Sequence, residues 1–579
     1  MQKNDALTWL RQETKKYRSF VILLTVLEIF VSGLGVCYAL VMKQMVDRTV
    51  AKDGQGFMMG MIGFSLLVLS QLIIRIITRQ ASEYTRSGME NTLKRNLFAS
   101  LLKKDYGSVS AIHSEEWMNR LTSDTVICAG GVTDIIPGFL GMTIRLVGSL
   151  ALIFWLQPGL SFIMIPGGIA FLIITVLLRK PIKRFHKDVQ EKDGQVRVYL
   201  QERISSQLVV RTFGAEDIAV EEAEDTMRRH RTSRMKKAWI SNMCNSGFSL
   251  AINGMYLVGI GYCGYGIIHG VVSFGTLTAI IQLIGQLQSP LASLGGYVPR
   301  YYTTLASAER LMEVEQYEDV DVANLRGKDE VKALYENQIK EIVFDHVTFG
   351  YTKEKKHGKE DSVPVGIHNA VLADISFFIS KGDYVAVTGT SGCGKSTMLK
   401  LLMGIYRPQE GSITVALRDG TGIAIEDMRR LFAYVPQGNF LMGGSIRDVI
   451  TFGTYSRMES NHMDVDDQLD KAIRLACADF VYELPLQLDT ILGEKGAGLS
   501  EGQMQRIAIA RALYADCPVL ILDESTSALD EQTEERLLHN LRELTDKTVL
   551  VVTHRPKARS ICNRQIHFEE GNGVQTGLC

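Results

Sequence analysis

Two short stretches and a pair of adjacent carboxylates carry the chemistry of this sequence. Gly389-Thr390-Ser391-Gly392-Cys393-Gly394-Lys395-Ser396, followed by Thr397, fits the pattern G-x-x-x-x-G-K-[ST]. In that pattern backbone N–H groups wrap phosphates at a helix N-terminus. Lys395 is then placed along the β- and γ-phosphates of a nucleoside triphosphate, and the Ser396 hydroxyl on Mg²⁺. The apolar run Val519-Leu520-Ile521-Leu522 ends in Asp523 and reads as a buried strand that carries a carboxylate towards that metal. Glu524, one residue on, is placed to act as a base on water. These residues alone say only that the chain binds a nucleoside triphosphate.

Between them lies Leu499-Ser500-Glu501-Gly502-Gln503, which resembles the L-S-G-G-Q signature of ATP-binding cassette (ABC) transporters. The resemblance runs through the C-terminal half in the family's order. Tyr351 resembles the aromatic that stacks on adenine, although an aromatic at a strand end can also be plain packing. Gln437, in Tyr434-Val435-Pro436-Gln437, resembles the Q-loop glutamine. Thr490–Gly496 resembles the loop before the signature and Ser527-Ala528-Leu529-Asp530 the D-loop. His554, after the strand Thr548–Val552, resembles the switch histidine; a capping role is its structural alternative. Two departures stand out: Glu501 replaces a glycine, and the segment Thr352–Asn369 is longer than usual.

The resemblance implies ATP and Mg²⁺ as cofactors. It implies Ser396, Gln437 and Asp523 on the metal, and Glu524, His554 and Gln437 as catalytic residues. Tyr351, the loop Gly389–Thr397, Ser500, Gly502, Gln503 and Asp530 are the implied nucleotide contacts, with Ser500 and Gly502 supplied across a dimer by a second subunit. Glu501 leaves those two residues intact, so activity is expected to survive it.

The elements that position these groups fall into two unlike halves. At 579 residues the chain is too long for one domain, and its mean hydropathy of +0.06 averages the two. A net charge of −1 leaves no basic excess for nucleic acid. Nine cysteines are scattered without paired spacing, so neither a disulfide framework nor a zinc site is expected.

Apolar runs of about 20 residues, enough to cross a bilayer, fall near Phe20–Val41, Phe57–Thr78, Asp134–Trp155, Leu160–Leu178, Ile240–Ile268 and Phe274–Leu294. Met1–Ser19 carries five Lys/Arg and has no cleavable-signal pattern. With only this much before the first span, a fused cysteine protease is not expected. The long segments Arg79–Val126 and Arg179–Ala238 are rich in Lys and Arg, which puts them and both termini in the cytoplasm. Lys43, Arg48 and Lys52 run against that rule, with Asp47 and Asp53 beside them. Both long segments have helical character, and the resemblance implies coupling helices near Ser108–Glu115 and Val209–Asp217. Within the spans, Glu28 and Arg145 lie at similar depth, which makes a pair or a shared polar cavity wall plausible, for folding or for cargo. Arg75, near the inner edge, is expected to snorkel.

The expected fold is thus multidomain: an all-α six-helix transmembrane domain of ABC exporter type (1–312), a linker (313–339), and an α/β P-loop ABC ATPase domain (340–579). The expected function is ATP-driven export of an unidentified lipid, hydrophobic drug or peptide across a bacterial cell membrane by a dimer, with the ATPase domain in the cytoplasm. The alternatives are one subunit of a heterodimer, or an ATP-binding membrane regulator without transport. Expected partners are a second half-transporter, membrane lipid and the exported substrate, with no nucleic acid.

Cys393 offers a direct test of the loop. A maleimide adduct between two phosphate-facing glycines should abolish ATPase activity, prior MgATP should protect, and Cys393→Ala should remain active. Full activity with Cys393 demonstrably alkylated would contradict the loop assignment.

Overall fold

The computed structural model describes residues 3–320, 325–351, 370–438, 441–452, 462–493, 498–569 and 574–578. The long segment 352–369 and part of the loop before the signature, 494–497, lie outside the described residues. The chain divides into two units: residues 1–99 with 115–316, and residues 100–114 with 317–579.

The first unit is helical. A short α1 (Lys3–Glu13) precedes α2 (Arg18–Val50) and α3 (Gly54–Leu101). Two short helices, α4 (Tyr106–Ser110) and α5 (Ser114–Asn119), lead through a π turn at Arg120–Asp124 into α6 (Thr125–Leu156). Then come α7 (Pro158–Ser205), a short α8 (Gln207–Thr212), α9 (Glu216–Ile268) and α10 (Phe274–Met312). Each expected span falls inside one of the six long helices found among the described residues. Among the described residues, four stretches are long and apolar enough to cross a membrane: Lys15–Val50, Gly54–Leu101, Ser114–Leu156 and Glu216–Ile268.

The helices outrun the spans. At 1.5 Å per residue the 48 residues of α3 extend about 72 Å, more than twice the ~30 Å of a hydrocarbon core. The charged segments after each apolar run contain few Gly or Pro breaks, so nothing ends the helix at the membrane edge. Breaks come where backbone chemistry forces them. Gln157 adopts φ −149° between α6 and α7, Pro158 then opens α7 at a position that needs no N–H, and the Ser273 side chain caps α10 by accepting from Thr276 N.

Helices α2, α6 and α10 pack on one another, and α7 pairs with α9. The apolar core of this unit includes Ala39, Ile153, Leu160, Cys263, Ile280, Leu283 and Leu287. The start of α6 is tied to the end of α10 by a polar knot. The buried Asp124 carboxylate accepts from Arg310 Nε (2.8 Å), Arg310 Nη2 (2.5 Å) and Ser307 Oγ (2.9 Å). Arg120 donates to the Arg310 carbonyl at 3.0 Å and pairs with Glu116 and Glu313. Glu28 and Arg145 do line one cavity, with Arg75. The expected ion pair between them does not form: equal depth fixed their height on the helices and not the directions of their side chains.

The second unit is α/β. A helix α11 (Lys328–Asn337) precedes a four-stranded antiparallel sheet of order β2-β1-β4-β5, built from β1 (Ile339–Phe349), β2 (Leu372–Ser380), β4 (Glu410–Leu417) and β5 (Gly422–Ala424). The second sheet has the order β12-β11-β3-β10-β9-β6, from β3 (Tyr384–Gly389), β6 (Phe432–Val435), β9 (Val519–Asp523), β10 (Thr548–Val552), β11 (Arg564–Phe568) and β12 (Val574–Leu578). Its strands are parallel except β12. A minor pair, β7 (Gly444–Ser445) and β8 (Ile491–Leu492), lies apart. Helices α12 (Lys395–Leu402), α13 (Ile446–Ile450), α14 (His462–Leu475), α15 (Glu501–Tyr514), α16 (Glu531–Arg542) and α17 (Pro556–Arg559) complete the unit. β9 and β10 are buried along their whole length, as parallel strands covered on both faces must be.

Residues 100–114 belong to this second unit, so α4 is packed as part of it. Asp105 caps α4 by accepting from Ser108 N at 2.9 Å, which starts the helix two residues before the expected Ser108. Backbone bonds join Asp105 N to Glu318 O and Val320 N to Lys103 O, and Lys104 Nζ pairs with Asp319 at 3.0 Å. Tyr106 meets Tyr406 edge-on at 5.9 Å between centroids. The other expected coupling segment also starts two residues early, as α8, and Leu208 and Phe213 at its ends are each 80% exposed.

Asp124 supports a stability test. Removing an acceptor of three bonds, two from a charged guanidinium, should cost about 2–4 kcal/mol. Asp124→Ala should therefore unfold several degrees below the parent in detergent, read by scanning fluorimetry. An unchanged melting temperature would show the knot to be dispensable.

Candidate nucleotide site

The site lies at the C-terminal ends of β3, β9 and β10, where parallel α/β sheets open a crevice for ligands. The expected phosphate loop joins β3 to α12. Gly394 caps α12 with φ +103°, a conformation few side chains tolerate, and a Cβ there would come within 2.6 Å of Leu372 Cδ2. Lys395 is 7% exposed and folds back on its own loop, donating to the carbonyls of Gly389 (2.7 Å) and Thr390 (2.8 Å). The Cys393 sulfur lies 3.9 Å from the same amine. Thr390, Ser391, Gly392 and Ser396 are exposed, and Cys393 is half-buried.

Asp523 ends β9, 3% exposed, and accepts from Tyr434 Oη at 3.1 Å. Burial pushes its carboxyl above the usual carboxylate range; the charge of Glu524 adds to that, while Tyr434 and Lys395 oppose it. A buried carboxylate in that condition favours a cation beside it. Glu524 holds φ +48°, a backbone position strained for a glutamate, fixed by its N–H to Val552 O at 3.1 Å. Its two oxygens are divided between neighbours. Oε2 accepts from Gln437 Nε2 at 2.6 Å, and Oε1 lies 3.7 Å from His554 Nε2. Residues from three separate motifs thus meet on one carboxylate.

The donors fit the cation expected of them. Among the described residues no three His, Cys, Asp or Glu side chains form a metal cage. A hydroxyl at a helix start, one buried carboxylate and an amide oxygen suit Mg²⁺, which is held by few protein ligands and by the phosphates themselves.

The remaining expected residues sit in two further groups. Ser500 caps α15, accepting from Gln503 N at 3.3 Å while Gln503 Oε1 accepts from Ser500 N at 2.9 Å. Gly502 must be a glycine, because a Cβ would lie 2.8 Å from the Ala528 carbonyl. Glu501 is exposed, which explains how a long side chain replaces a glycine there. Asp530 caps α16 through Thr533 N at 3.0 Å. Tyr351 is 47% exposed, edge-on to Phe349 and Tyr406, and its hydroxyl lies 3.0 Å from Thr397 Oγ1. Tyr351 thus packs at a strand end and keeps about half its surface free.

Three positioning residues carried no sequence signal of their own. Tyr434 holds Asp523. Gln505 fixes the D-loop through Ala528 N (3.2 Å) and Ser527 Oγ (3.3 Å). Arg555 reaches the Ser527 carbonyl at 2.6 Å and Glu534 at 2.7 Å. Tyr434 and Arg555 stand inside or next to quoted motifs, but their partners are 89 and 28 residues away.

A helical unit with membrane-length apolar helices, fused to a P-loop α/β unit, defines an ATP-dependent membrane protein. Residues 21–291 match the family described as ABC transporter transmembrane region, and residues 372–527 the family described as ABC transporter. The chain belongs to the ABC transporter family, a class of ATP-hydrolysing transporters, and joins one exporter-type transmembrane region to one ATPase region. It is 30% identical over 494 residues to ABC transporter B family member 1 of Dictyostelium discoideum, covering 84% of this chain and about half, 51%, of that protein. It is 28% identical over 525 residues to the ATP-dependent lipid A-core flippase of Yersinia pestis, covering 89% of this chain and 85% of that one. In fold it is similar to a bacterial Atm1-family ABC exporter with ATP bound, with a TM-score of 0.75, 24% identity, and coverage of 97% of this chain and 95% of that one.

The signature geometry yields a contrast. Gly502→Ala forces the Ala528 carbonyl aside and should lower ATPase activity at least about tenfold, an effect of roughly 1.4 kcal/mol or more, with nucleotide binding retained. Glu501→Gly should change activity by less than about twofold. Equal effects of the two substitutions would contradict the close approach.

Proposed function

We propose that two copies of this chain form an exporter that hydrolyses ATP to move a substrate out of the cytoplasm of a bacterial cell. The observation that carries the reading is the convergence of Gln437 and His554 on the Glu524 carboxylate, beside Asp523 and the phosphate loop. In this reading Glu524 orients and deprotonates the attacking water. His554 donates towards the γ-phosphate and keeps the Glu524 carboxylate in register. Lys395 leaves its two loop carbonyls for the β- and γ-phosphates of ATP, and Tyr351 offers its free face to adenine. Mg²⁺, held by Ser396, Gln437 and Asp523, would neutralise charge on the phosphates.

The signature residues Ser500 and Gly502 belong in this reading to a site completed by the second subunit. The exposed apolar ends of α8 are the natural contact for a partner's ATPase domain. An intact Glu524 and His554 favour a homodimer, since a weakened site is the mark of one chain in many unequal pairs. The relatives are named for lipid A-core flipping and for multidrug resistance, which supports an amphiphilic cargo.

Glu524→Gln should bind ATP and turn it over at least tenfold more slowly, trapping a closed dimer, because general-base assistance is worth about 10²–10⁴-fold. Near-normal turnover would remove Glu524 from the mechanism. A lone chain that binds ATP but never dimerises would favour the heterodimer.

A further inference from the structure

Tyr351 stands two residues beyond Phe349, the end of β1, where the strand ladder runs out. β1 and β4 pair antiparallel with Thr348 opposite Glu410, and Gln409 N donates to Thr348 O at 2.9 Å. Two residues further in that register, Gly350 falls opposite Pro408, which has no N–H to give. The side chain of Gln409 takes over at this point. Its Nε2 donates to Gly350 O at 3.0 Å, and its Oε1 accepts from Gly350 N at 3.1 Å. One primary amide thus supplies both halves of the pairing that a neighbouring strand residue would give. Each bond alone would compete with water. Together, on a residue whose own backbone is already fixed to β1, they hold the Gly350 peptide in one orientation. Tyr351 is held in turn by three further groups. Phe349 and Tyr406 meet its ring edge-on, at 5.4 and 5.7 Å between centroids. Its hydroxyl lies 3.0 Å from Thr397 Oγ1 on α12, the helix that leaves the phosphate loop. These contacts set where the ring can lie, while the Gly350 peptide sets the direction in which the side chain leaves the backbone.

We propose that Gln409 is a positioning residue for the nucleobase: by clamping Gly350 it fixes the plane in which Tyr351 presents its open face to adenine. The proposal rests on the stacking role given to Tyr351 above. Stacking depends on a preset plane, because base and ring gain only when their faces lie offset and nearly parallel at contact distance. With the clamp lost, Tyr351 keeps its aromatic neighbours but samples other tilts, and the base meets a partly turned ring. The triphosphate, held by the loop Gly389–Thr397, is untouched by that change. Gln409 therefore acts on the base through Tyr351 and has no part in the cleavage step.

The test uses the full-length protein in lipid nanodiscs and reads ATPase kinetics together with inhibition by magnesium tripolyphosphate, which carries the phosphates but no base. Tyr351→Ala should raise the KM for ATP at least about fivefold, the lower end of what a base gains by stacking on an aromatic side chain. Gln409→Ala should raise it at least about threefold, with kcat at saturating ATP within about twofold of the parent and the tripolyphosphate inhibition constant unchanged. Gln409→Glu has the same length and shape but sets an oxygen against the Gly350 carbonyl. It should raise KM to a similar degree, and it covers the case in which Gln409→Ala folds poorly. In the Tyr351→Ala background Gln409→Ala should add nothing, because the two substitutions act on one contact. A parent-like KM in both Gln409 variants overturns the proposal. So does an equal weakening of tripolyphosphate, which would place the effect on the phosphate loop. An unchanged KM in Tyr351→Ala would remove the stacking role itself, and the proposal with it, a failure read without any Gln409 variant.

Discussion

Two carboxylates must be accommodated on consecutive residues, Asp523 and Glu524, at the end of a buried strand. Most of the ATPase unit follows from that constraint. β9 is buried throughout so that Asp523 is rigid, and burial alone would drive the acid towards its neutral form. Tyr434 answers with a hydrogen bond and Lys395 with a nearby positive charge. The Glu524 backbone is strained at φ +48°, and its carboxylate accepts from the amide of Gln437. The strain is maintained because β10 lies alongside and Val552 accepts the Glu524 N–H. Parallel pairing of β9 with both β6 and β10 is therefore a requirement of the chemistry as well as of the core.

The same economy governs the signature. Ser500 and Gln503 satisfy each other's backbone groups at the start of α15, so the helix is formed before any phosphate arrives. Gly502 allows the D-loop carbonyl of Ala528 to lie against that helix turn. Gln505 and Arg555 tie the D-loop from two more directions. The D-loop and the first turn of α15 are thereby held against each other.

Much of this was legible in the sequence, for physical reasons that can be named. A phosphate loop needs glycines at set positions and a lysine next to them, and a membrane span needs about 20 apolar residues in a row. Both are local patterns, so strands such as Thr548–Val552 and all six long helices were foreseen. What was not legible depends on direction across space. Helical rise placed Glu28 and Arg145 at one depth but could not say which way each side chain turns. Tyr434 and Arg555 act on residues far along the chain, and no spacing rule announces them. The extension of α3 and α9 beyond their apolar runs was legible as well, because the charged segments next to those runs keep a helical pattern with few Gly or Pro breaks.

The aromatic contact between Tyr106 and Tyr406 has a bearing on how this protein can be taken apart. Residues 100–114 are an insertion from the membrane half that completes the ATPase half: Tyr106 covers Tyr406, which in turn packs against Phe349 and Tyr351. A soluble fragment begun at residue 317 would lose that cover, together with the backbone bonds that Lys103 and Asp105 make to 318–320. Its aromatic cluster of Tyr406, Phe349 and Tyr351 would meet water directly. Such a fragment would be stickier than the intact chain, so the boundary between the two halves is not a clean place to cut.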